Sequence, residues 1–75
     1  MTKKDKKIIE DSEAAGIPIF VLTAKDRCAL AAISAYLRQC LALRCTDNHV
    51  NGVRDRYIDF EEWKKENKHK VKLPD

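Results

Sequence analysis

Cys40, Cys45 and His49 lie within ten residues of one another, with Cys28 further up the chain, and are the side chains best suited to metal or nucleophile chemistry. A structural zinc site takes four ligands, commonly thiolates in pairs two to four residues apart. Here the intervals hold four and three residues, and no fourth ligand stands close by. The spacing reads instead as a core thiol at Cys40 and a half-covered turn thiol at Cys45, since free cysteine behaves as a small hydrophobe. No metal and no cofactor is expected. Cys45, His49 and Asp55 also offer the types needed for a nucleophile, a base and its orienter. A chain of 75 residues leaves little room for a deep pocket, and a histidine near a helix start reads as a surface residue, so no enzymatic activity is expected.

The stretch beginning at Asp47 echoes a calcium loop, with Asn51, Gly52 and Asp55 at its fifth, sixth and ninth positions. The third position is His49 and the twelfth is Ile58, where a bidentate glutamate is required, so the loop lacks the charge to hold calcium. The two glycines stand 36 residues apart and build no phosphate loop. Tyr57, Phe60 and Trp63, interleaved with Arg54, Arg56 and Lys64, have the types of a base-stacking surface. They also share a helix stripe with Val50 and Val53, which is the face that helix needs for its core.

The elements that position these residues are legible from periodicity and punctuation. Residues 7–15 read as a short helix stopped by Gly16, preceded by a lysine-rich lead, 1–6, expected to fray. Residues 17–22 are apolar at five of six positions and carry Pro18, which favours an extended arm or an edge strand. Thr23 stands where it can cap a helix over 24–44, with Asp26 in the first turn. In that helix Ala29, Ile33, Tyr36, Cys40 and Leu43 share one face, and Leu30, Leu37 and Leu41 widen it to about 180° of arc. Cys28, Ala31, Ala35 and Ala42 are small residues on the remaining side.

A break at 45–47 leads into a second long helix, 46–67, capped by Thr46 or Asp47. Val50, Val53, Tyr57, Phe60 and Trp63 cover about 140° of its surface. Asn51-Gly52 is a hairpin signal, but the flanking residues do not alternate, so helix is the better reading. The internal glycine then costs about 1 kcal/mol, and a close approach to an alanine of the facing helix would explain it. The tail, 69–75, alternates Val71 and Leu73 with lysines and reads as extended.

The expected fold is thus mostly α: one small helical domain over 1–75, built on an antiparallel helical hairpin (24–44 and 46–67). A short N-terminal helix, the arm 17–22 and an extended tail complete it. Ile33, Tyr36, Cys40, Val53, Tyr57 and Phe60 are expected at the shared core. Phe20-Val-Leu-Thr-Ala-Lys-Asp26, the Ala-rich helix after it, Asp59-Phe-Glu-Glu-Trp63 and Lys70-Val-Lys-Leu-Pro-Asp75 together resemble short uncharacterised bacterial and prophage-associated proteins. In those proteins a strand-like start precedes two antiparallel helices. The resemblance spans 17–75, implies the fold, and transfers no activity and no site residue.

A domain of this size buries only about 60% of its unfolded surface, which makes oligomerisation a natural supplement. The Ile17, Ile19 and Val21 side of the arm and the Leu30, Leu37, Leu41 strip are the candidate interface, predicting a homodimeric interaction or structural module. Net charge is only +3, but the ends are the more basic parts. Lys64, Lys65, Lys68, Lys70 and Lys72 are therefore candidate anion contacts in an alternative reading as an accessory nucleic-acid-binding protein. Three cysteines, an odd number, do not suggest a disulfide framework, and no apolar run is long enough to span a bilayer. With no secretory leader after the N-terminal lysines, the expectation is a cytoplasmic protein.

Overall fold

Thr2 and Asp5 start the first helix. Asp5 N–H donates to Thr2 Oγ1 at 3.1 Å, and Thr2 N–H reaches back to Asp5 Oδ2 at 3.5 Å, a reciprocal cap of two otherwise unpaired donors. Helix α1 therefore spans Lys3–Ala15 and begins four residues ahead of the expected start, inside the lead expected to fray. The computed structural model describes residues 2–73; Met1, Pro74 and Asp75, the last two belonging to the expected tail, lie outside them. Gly16 closes α1 at φ 69°, with Gly16 N–H on Glu13 O and Ile17 N–H on Ser12 O.

Residues 17–22 follow with neither helix nor strand pairing, so the arm is present and the edge-strand reading is not realised. Helix α2 spans Ala29–Ala42, five residues later than expected, and Thr23 makes no side-chain cap. The reason lies at the far end of the chain. Arg27 N–H donates to Lys72 O at 2.9 Å and Lys72 N–H donates to Lys25 O at 2.8 Å, a parallel bridge that uses the 25–27 backbone. Asp26 turns that segment into the helix, its Oδ1 accepting from Cys28 N–H at 2.7 Å and its carbonyl from Ala29 N–H.

Helix α3 spans Asp47–Glu66, capped as expected by Thr46, whose hydroxyl accepts from His49 N–H at 3.3 Å. Asn67 ends it, its Nδ2 donating to Trp63 O, and a 3₁₀ turn at Lys68–Lys70 leads to the Lys72 bridge. The tail is extended and strand-like at 71–73, as the sequence predicts, and departs from that reading only where 68–70 turns ahead of it.

The two long helices α2 and α3 pack on each other as a helical hairpin, and the protein is mostly helical. Ala29, Cys40 and Val50 are buried, with Ile33, Leu37, Val53, Tyr57, Phe60 and Trp63 half-buried around them. Tyr36, expected in the core, is 53% exposed because its ring leans toward the α3 start. Gly52 does not mark a close helix crossing: a Cβ there would meet nothing within 4 Å. Helix α1 packs closely against neither α2 nor α3. The consequence is an open shape, with a radius of gyration of 13.7 Å against about 11 Å for a compact chain of this length.

Candidate functional site

The end of α2 is where the chemistry-bearing side chains meet. Arg44 adopts φ 56°, the left-handed conformation that glycine provides at the end of α1. Around it, Arg44 N–H donates to Leu41 O at 3.2 Å and Cys45 N–H donates to Cys40 O at 2.9 Å. These two bonds define a Schellman termination, in which the side chains four residues before the left-handed residue and one residue after it are commonly brought together. Here both of those side chains are thiols. Cys40 is buried and Cys45 half-buried, and neither is in a disulfide.

Tyr36, one turn earlier on α2, completes the group. Its hydroxyl lies 3.1 Å from His49 Nε2, and the two rings meet edge to face at a centroid distance of 6.0 Å. Burial of the hydroxyl end, together with the Cys40 and Cys45 thiols beside it, raises the Tyr36 pKa above the ordinary phenol value. Local desolvation first, then the neighbouring Cys40 thiol, likewise raises the Cys45 pKa.

His49 Nε2 is partnered by the Tyr36 hydroxyl, and among the described residues no side-chain hydrogen bond joins His49 to Asp55 or to Cys45. Among the described residues no three His, Cys, Asp or Glu side chains are grouped to hold a metal ion. An open cleft of about 520 Å³ separates the start of α1 from the hairpin, bordered by Lys4, Ile8, Tyr36, His49, Gly52 and Arg56. Gly52 faces this space, which accounts for the absence of any atom where its Cβ would stand.

Of the candidate interface residues, Ile17, Ile19 and Val21 are exposed, Leu41 is 49% exposed, and Leu30 and Leu37 are half-buried. Phe20, left out of the alternating set, is the most exposed large apolar residue among those described, at 84%. Its membership of the same apolar run was the available signal; strict alternation hid it because the arm is not a strand. Lys64 and Lys65 end α3, Lys68 and Lys70 sit in the 3₁₀ turn, and all are exposed, while Lys72 serves the fold through its backbone. No described helix is long and apolar enough to cross a membrane. Comparison of the chain with protein-family models, with curated proteins and with solved structures finds no match in any of the three.

Proposed function

We propose that this chain is a small helical interaction module that works as a homodimer, with the arm 17–22 at the centre of the shared surface. The supporting observation is surface left uncovered. The accessible area is 6380 Å², against about 4,700 Å² for a compact monomer of 8.6 kDa. That excess, about 1,700 Å² on one chain, is about twice the roughly 800 Å² that each partner buries in an ordinary interface.

The arm is also open in its hydrogen bonding. Among the described residues, no backbone bond reaches 18–22, while Ile17, Ile19, Phe20 and Val21 are all exposed. A second copy supplies both the apolar cover and the strand partner that this segment lacks, and a two-fold axis lets each arm serve the other. Pro18 restricts the pairing to the residues after it.

Sedimentation at micromolar concentration tests the reading. A dimer is expected, and Val21→Glu, an exposed substitution that leaves the hairpin core intact, should dissociate it by placing like charges together. A monomer at every concentration overturns it. The alternative is the accessory nucleic-acid-binding role, supported by Lys64, Lys65, Lys68 and Lys70 standing exposed within seven residues. Retention on DNA with a steep salt dependence would favour that reading over the first.

A further inference from the structure

We propose that Cys40 and Cys45 are a dithiol switch that closes to an intramolecular disulfide across the end of α2. The inference stands on backbone geometry. In a Schellman termination the residue three before the cap and the residue two after it place their side chains together, a contact ordinarily made by two hydrophobes. The paired bonds from Cys45 N–H to Cys40 O and from Arg44 N–H to Leu41 O identify these two cysteines as that pair. The left-handed φ of Arg44 is what folds Cys45 back onto the helix. The Cys40 thiol also contributes to raising the Cys45 pKa, in keeping with that geometry. Cys28, exposed at the other end of α2, takes no part.

Unequal burial assigns the roles. Cys45, half-buried, is the thiol that a small oxidant reaches, and Cys40, buried, is the one that resolves. With a low-molecular-weight disulfide such as oxidised glutathione as the oxidant, the Cys45 thiolate attacks one sulfur of that disulfide. A Cys45–glutathione bond forms and one glutathione thiolate leaves. The Cys40 thiolate then attacks Cys45 Sγ, forms the Cys40–Cys45 bond and expels the second glutathione thiolate. The two cysteine protons end on the two released glutathiones; the cysteine pair is oxidised by two electrons and the small disulfide reduced by two. The closed form ties the last turn of α2 to the residue that precedes the α3 cap, so redox state sets the stiffness of the hairpin corner.

The test uses the full chain carrying Cys28→Ser, so that only the two thiols remain. The reduced protein is exposed to oxidised glutathione at mildly alkaline pH, quenched with acid, and read by intact mass and peptide mapping. The expected product is two hydrogens lighter than the reduced chain, with Cys40 and Cys45 linked. Its ratio to the mixed disulfide should be about tenfold higher for the folded protein than for the same chain in urea, because folding raises the effective concentration of one thiol at the other. A persistent glutathione adduct at Cys45, a covalent dimer, two unreacted thiols, or an equal ratio in urea would each overturn the proposal. Cys45→Ser, a change at the less buried position, should leave Cys40 unmodified; ready glutathionylation of Cys40 in that variant would contradict the assigned roles.

Discussion

Lys72 and Asp26 form a parallel β-bridge that joins the last described turn of the chain to the entrance of α2. Both of its bonds are backbone bonds, Arg27 N–H to Lys72 O and Lys72 N–H to Lys25 O. Lys72→Pro removes the second donor and should lower stability by about 1–2 kcal/mol. Lys72→Ala keeps the backbone and should stay within about 0.5 kcal/mol of wild type. Urea unfolding of the pair checks this; equal losses would place the clasp in the lysine side chain instead.

Val50 is the one large aliphatic side chain of α3 that is buried, at 5% exposure. Val50→Ala should cost about 2 kcal/mol, the loss of two buried methyl-sized groups with partial collapse of the space. Ile58 lies on the same helix but is 48% exposed, and Ile58→Ala should cost less than about 0.5 kcal/mol. Thermal melts of the two variants separate a hairpin seam at Val50 from one displaced around α3.

Alkaline pH should loosen the α2 corner. Tyr36 and Cys45 both have raised pKa values in the folded protein, so the folded state holds their protons more tightly than the unfolded chain does. Their contribution is fully present below the ordinary thiol and phenol values, about 8.5 and 10, and is lost as pH rises through the raised folded values. Urea midpoints measured from neutral to strongly alkaline pH should fall, and fall less steeply in the Tyr36→Phe, Cys45→Ser double variant. Parallel slopes for the two proteins would remove these groups as the cause.

Gly52 sits inside α3 with open space where a side chain would go. Gly52→Ala should therefore stabilise the protein by about 1 kcal/mol through helix propensity and a less free unfolded chain. Circular dichroism during urea unfolding reads the gain. A loss would mean that the methyl group collides with something the cleft normally admits.

Local punctuation carried much of the fold. Thr46 before an apolar stripe marked the α3 start, and Gly16 marked the α1 stop, because each acts through atoms within a few residues of itself. The α2 start was displaced by a bond to Lys72, a partner far along the chain that no periodicity near Thr23 encodes. Tyr36 fell on the apolar arc by spacing, yet its hydroxyl is drawn to His49 on the facing helix, a pairing that depends on how the two helices cross. The thiol contact was half legible: the cysteines stood out, but an arginine in the left-handed region gives no warning in composition.

Among the described residues, the hydrogen bonds that close the two ends of helix α1 are all local to it. Thr2 and Asp5 hold its front, Ser12 and Glu13 receive the amides that close its back, and no close packing against α2 or α3 ties its fate to theirs. Opening it consequently does not require the hairpin to open. Hydrogen exchange should show two clocks in one short chain: α1 amides that exchange through frequent local excursions, and amides around Cys40 and Val50 that wait for the rare event in which everything comes apart.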